Sequence, residues 1–126
     1  MSVQDLNHVN ITAPAPLLRE VRDFYVEVIG LAEGPRPDFG IGGYWLYAGD
    51  RALVHLIEPR GGNVPEPAGG SMLDHIAFSC RDLPATVSRL ERSGLPFQRR
   101  EFPEYGFTQL FVTDPVGLGV ELNFQN

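Results

Sequence analysis

Three histidines, His8, His55 and His75, are all that the chain contains. One glutamate, Glu121, sits inside an otherwise apolar run, LGVELNF at 118–124. A carboxylate in a core strand is costly to bury unless it meets a cation or takes up a proton. Imidazoles with a carboxylate form a borderline-hard donor set suited to Fe, Mn, Ni, Co or Zn in the divalent state. Two histidines and one carboxylate leave coordination positions open for a substrate or for oxygen. The expected centre is therefore one divalent metal ion held by His8, His75 and Glu121. His55 is either a fourth ligand or an imidazole that faces the ligands or the substrate.

Any one of these histidines alone would read as a hydrogen-bonded strand residue. Their spacing argues otherwise. LNHVNI (6–11) and LDHIAF (73–78) share the order Leu, small polar, His, β-branched, variable, apolar. His8 and His75 are 67 residues apart (75 − 8), and His55 and Glu121 are 66 apart (121 − 55). A repeat of about half the chain presents His8 with His55 in one half, and His75 with Glu121 in the other.

The elements that must position them repeat as well. Pro14 and Pro16 precede a first helix carrying Leu18, Val21, Phe24, Tyr25 and Val28; Asp82 and Pro84 open a second carrying Leu83, Val87 and Leu90. Gly30 and Gly94 suit left-handed caps. Strands are expected near 37–41, 43–49 and 52–58 in one half, and near 96–101, 106–113 and 118–124 in the other. The segment 59–71, PRGGNVPEPAGGS, has four glycines and three prolines and reads as a linker. The order is βαβββ, linker, βαβββ, an α+β chain of two tandem modules (about 4–58 and 72–126) in a single domain, 1–126. One helix covers one face of a four-stranded sheet, so the modules are expected to form a curved sheet with a metal-binding cleft.

Side chains alternate across a strand. His8 and Asn10 share a face opposite Val9 and Ile11, and His75 lies opposite Ile76, Phe78 and Cys80. Glu121 and Asn123 lie opposite Val120, Leu122 and Phe124. His55 has apolar neighbours on both faces, so parity leaves it unoriented. Asn10, Tyr105, Gln109 and Arg100 are candidate substrate-binding residues. Trp45, Tyr47 and Phe107 read as wall or core, and Cys80 as buried and inert.

Composition excludes several classes. The net charge is −6, lysine is absent, and the ten arginines are scattered. No basic stripe exists to bind nucleic acid or an anionic membrane. A lone cysteine forms no internal disulfide, no run is long enough to span a bilayer, and the N-terminus lacks a signal-peptide layout. A cytoplasmic protein is expected, with a small-molecule substrate and a homodimeric state, the modules pairing within one chain or swapping between two.

LNHVNI, RDFYVEVIGL, LDHIAFSCRDL and LFVTDPVGLGVELNF together resemble the glyoxalase/bleomycin-resistance/extradiol-dioxygenase (vicinal oxygen chelate) superfamily. The closest layout is that of glyoxalase I-like proteins. That resemblance implies ligands at His8, His55, His75 and Glu121, with Glu121 as the catalytic group that takes a proton from the carbon beside a substrate carbonyl. It departs at His55, where glyoxalase I usually has glutamate, and no assured basic set for glutathione is visible. Extradiol dioxygenases place a His, His, Glu triad at His8, His75 and Glu121. Fosfomycin-resistance transferases share the triad but use a lysine that this chain lacks. Bleomycin-binding relatives hold no metal. The resemblance implies a metal-dependent lyase or isomerase first, then an Fe(II) dioxygenase or a metal-free binding protein.

Overall fold

The computed structural model describes residues 4–62, 73 and 75–125. The chain divides into two compact units, Met1–Pro65 and Glu66–Asn126. The expected linker falls largely outside the described residues; its start is a short 3-10 turn, Arg60–Gly62.

In the first unit the order is β1 (Val9–Thr12), α1 (Ala15–Asp23), β2 (Ala32–Gly34), β3 (Gly43–Ala48) and β4 (Arg51–Ile57). The sheet runs β1-β4-β3-β2, with β1 parallel to β4 and the other pairs antiparallel. Pro16 sits in the first turn of α1, where its missing N–H costs nothing. After Asp23 the helix widens into a π-helical segment, Phe24–Ile29, which buries Phe24, Tyr25 and Val28 together. It stops where the N–H groups of Gly30 and Leu31 both donate to the Tyr25 carbonyl, with Gly30 at φ 98°. Leu18 and Val21 of α1 and Leu46, Val54 and Leu56 of the sheet are 0–1% exposed and make the core.

The second unit repeats this with β5 (His75–Cys80), α2 (Leu83–Ser93), β6 (Gln98–Phe102), β7 (Phe107–Thr113) and β8 (Gly119–Gln125). Its sheet runs β5-β8-β7-β6, again with the first and last strands parallel. Asp82 caps α2 through Oδ1, which accepts from the Ala85 N–H at 3.2 Å. Leu90, Leu110, Val120 and Leu122 are fully buried. At the β7–β8 turn, the 4%-exposed Asp114 accepts from the N–H groups of Val116 and Leu118 at 2.9 Å each.

Three expectations are corrected. The strand placed at 37–41 lies instead at Ala32–Gly34, directly after the helix. Pro35 and Pro37 remove ladder donors, and Gly40 takes φ 72°, so 35–42 runs as an irregular loop. The first strand is also shorter than expected, and His8 stands one residue before it. Cys80 lies on the core side as expected but is only half buried; burial pushes its thiol pKa up.

Candidate metal centre

Register determines which side chains share a face. In the first unit Asn10 and Trp45 both stand opposite His55, one on β1 and the other on β3. These residues therefore share the face turned away from Val54 and Leu56. The imidazole of His55 stacks on the indole of Trp45, 4.1 Å between centroids and 13° from parallel. It stacks equally on His8, at 3.8 Å and 12°. The orientation that parity left open is thus settled by cross-strand neighbours.

Backbone irregularity contributes. The β3–β4 ladder slips between Leu46 and Tyr47, which leaves Leu53 without an opposite residue. Next to that bulge the Ala52 carbonyl accepts a hydrogen bond from His55 Nε2 at 3.1 Å. A carbonyl can only accept, so Nε2 carries the proton and Nδ1 the lone pair. His8 Nδ1 donates to the Asn7 side-chain oxygen at 2.7 Å, which leaves Nε2 as its lone-pair nitrogen. Burial lowers the pKa of His55, and electrostatic repulsion from neighbouring His8 and Arg36 lowers it further, against the Ala52 hydrogen bond. The neutral imidazole, the form that ligates metals, is favoured.

In the second unit Ala77 and Phe111 stand opposite Glu121. Glu121 is 8% exposed. Its Oε1 lies 3.8 Å from His75 Nε2. Its Oε2 accepts from the Asn123 amide at 3.0 Å. One carboxylate oxygen is therefore held in place while the other faces an imidazole. Beside the pair lies an open depression of about 480 Å³ lined by His75, Gln98, Phe111 and Thr113 among others.

The other sequence candidates divide. Gln109 stands opposite both Asn123 and Arg100, so both candidates share the face of Glu121. The Arg100 guanidinium lies 5.3 Å from the Phe111 ring centroid. Tyr105 is 74% exposed, in the turn between β6 and β7, with its ring 6.5 Å from Phe107. Asn10 bonds Thr12 at 3.2 Å and lines a cavity with His55.

Sequence reasoning passed over Asn123, Asn7 and Arg36. Asn123 was readable, since position i+2 on a strand shares the face of Glu121. Asn7 adjoins His8 in sequence. Arg36 comes from an irregular loop, and no pattern announces it.

One pair of donors fits a divalent cation. An oxygen and a nitrogen each about 2.1 Å from one ion can lie up to about 4.2 Å apart, and the Glu121–His75 separation falls within that. His8 and His55 meet instead as stacked rings, 3.8 Å between centroids and 12° from parallel, which brings the two imidazoles side by side. Within each unit the described residues bring together two such donors rather than three.

A family model described as the Glyoxalase/Bleomycin resistance protein/Dioxygenase superfamily matches residues 5–122. Among solved structures, a glyoxalase family protein from Bacillus anthracis is 26% identical, with a TM-score of 0.73 over 100% of this chain and 98% of that one. A lactoylglutathione lyase from Agrobacterium tumefaciens is 19% identical (TM-score 0.67, 98% and 96% covered). An antibiotic-binding protein, TnmS3, from Streptomyces sp. CB03234 is also 19% identical (TM-score 0.68, 100% and 99% covered). No curated protein matches the sequence.

Proposed function

This chain belongs to the glyoxalase/bleomycin resistance protein/dioxygenase superfamily, and from that premise we propose that it is a divalent-metal-dependent enzyme of the glyoxalase type. It acts on a small substrate with two adjacent oxygens, as a lyase or isomerase. His8, His75 and Glu121 hold the metal, with His55 as fourth ligand. The bound cation supplies Lewis acidity to the substrate oxygens.

The observation that carries the reading is Glu121: a carboxylate 8% exposed, facing His75 through Oε1 and fixed through Oε2 by Asn123. A carboxylate so oriented can lift a proton from one carbon and return it to the next with little loss of alignment. Arg100 and Gln109, on the same face, steady substrate oxygens by hydrogen bonds. Phe111 and Trp45, each opposite a proposed ligand, limit the access of water. The protein works as a homodimer in the cytoplasm. Among the described residues no helix is long and apolar enough to cross a membrane.

Elemental analysis of the purified protein beside a His75→Ala variant tests the centre. About one equivalent of metal, lost in the variant, supports it; metal in neither sends the reading elsewhere. With metal present, deuterium exchange beside the carbonyl of a 2-oxoaldehyde–thiol adduct supports the isomerase. Oxygen uptake with catechols instead establishes the dioxygenase alternative. A metal-free binding protein is the second reading, favoured by the stacks of Trp45 on His55 and of His55 on His8, an aromatic surface suited to a planar ligand.

A further inference from the structure

A second cavity lies wholly inside the first unit, about 190 Å³, lined by Asn10, Arg36, Phe39, Trp45, His55 and Arg60 among others. Its chemistry is unlike the rest of a chain whose net charge is −6. Two arginines face an aromatic wall, and among the described residues neither makes an ion pair.

Arg36 is held firmly. Its Nη2 donates to the Ile41 carbonyl at 3.0 Å, and its guanidinium lies 5.0 Å from the Phe39 ring centroid. Gly43 makes room for it: a Cβ there would come within 2.9 Å of Nη2 and 2.2 Å of the Leu56 carbonyl oxygen. The Nε of Arg36 is buried with no acceptor. A half-buried guanidinium with one neutral acceptor and one unsatisfied donor is destabilising unless an anion compensates it. Phe39 is 46% exposed and tilted 43° to Trp45 at 6.2 Å, so the wall presents ring surface to whatever enters.

We propose that this cavity binds a small planar carboxylic acid, its carboxylate on Arg36 and Arg60 and its ring against Phe39 and Trp45. Arginine suits a carboxylate because its planar fork matches two oxygens and its charge is permanent. The volume falls below that of drug-sized sites, roughly 300–1,000 Å³, so the ligand has about one ring. Asn10 adds a polar side chain at the same wall. The cavity shares His55 and Trp45 with the proposed metal centre, but carboxylate binding there needs only the first unit and no cation.

The test is titration of the full-length protein, in chelator and at constant ionic strength, with benzoate, benzamide and inorganic phosphate. Trp45 is the only tryptophan, so its fluorescence reports on the cavity. Benzoate is expected to shift Trp45 emission saturably, and benzamide to bind at least about tenfold more weakly. Arg36→Gln is expected to weaken benzoate by at least about tenfold and Arg60→Gln by less. Equal binding of benzoate and benzamide overturns the proposal without need of any variant. Phosphate binding as tightly as benzoate overturns the role of the ring. Because the metal is absent throughout, failure here leaves the metal centre standing, and loss of the metal centre leaves this result standing.

Discussion

The indole of Trp45 and the imidazole of His55 lie face to face, 4.1 Å between centroids and 13° from parallel. They meet because antiparallel pairing sets Trp45 directly opposite His55 across β3 and β4. The stack ties an optical reporter to the protonation and ligation of a proposed metal ligand.

Protonation of His55 should therefore be visible at Trp45. Burial, then repulsion from His8 and Arg36, places its pKa below the ordinary 6.5. In metal-free protein, Trp45 emission is expected to fall as the pH drops through a midpoint below 6.5, because an imidazolium quenches a stacked indole. His55→Gln should abolish the transition. His8→Gln should move it upward, since the repulsion from a neighbouring imidazole is gone. A midpoint at or above 6.5 would contradict the electrostatics.

The same shift has a consequence for stability. Below pH 6.5 the unfolded chain binds the His55 proton more readily than the folded chain does, so stability rises with pH across that window. The contribution is intact above 6.5 and lost as pH falls toward the folded pKa. Urea denaturation of wild type and His55→Gln at pH 5.5 and 7.5 measures it. The variant should lose less stability on acidification.

Asn123 should act through Glu121. Asn123→Ala frees Oε2 and lets the carboxylate turn, so metal affinity is expected to drop about 10–100-fold with the ligands themselves unchanged. Glu121→Gln and His75→Ala, which remove donors, should lose more. Calorimetric titration with Zn(II) and Ni(II) reads all three. An Asn123→Ala protein with wild-type affinity would remove its positioning role.

The capping of α2 offers a stability test distant from any site. Asp82 accepts from the Ala85 N–H while holding a left-handed φ of 65°. Asp82→Ala loses the acceptor and keeps the unfavourable backbone, at a cost of about 1–2 kcal/mol. Asp82→Gly loses the acceptor but relieves the backbone, so it should cost only a few tenths. Thermal unfolding should rank wild type, glycine and alanine in that order.

The core supplies a larger effect. Leu122 is fully buried in β8, one residue from Glu121 and facing the other side of the sheet. Leu122→Ala is expected to cost about 2–5 kcal/mol by chemical denaturation. Because its side chain points away from Glu121, zinc affinity at folded concentrations should stay near that of wild type.

The sequence by itself determined the module order, the duplication and the side of the second sheet on which His75 and Glu121 project. These follow from local rules: strand side chains alternate, prolines open helices, glycines end them, and a repeat offset survives any folding. It also marked the equivalence of His55 and Glu121, each of which stands opposite an aromatic residue of the neighbouring strand, Trp45 and Phe111. What it left undecided depended on neighbours distant in the chain. His55 had apolar residues on both sides, and only the pairing of β4 with β1 and β3 oriented it. The strand expected at 37–41 lay instead at Ala32–Gly34, where Ala32 and Gly34 pair with Tyr47 and Trp45 of β3. Arg36 became a candidate anion site because a loop with no periodicity carries it beside Trp45 and His55. Periodic patterns reveal which face a residue occupies; packing across strands and loops decides what it meets there.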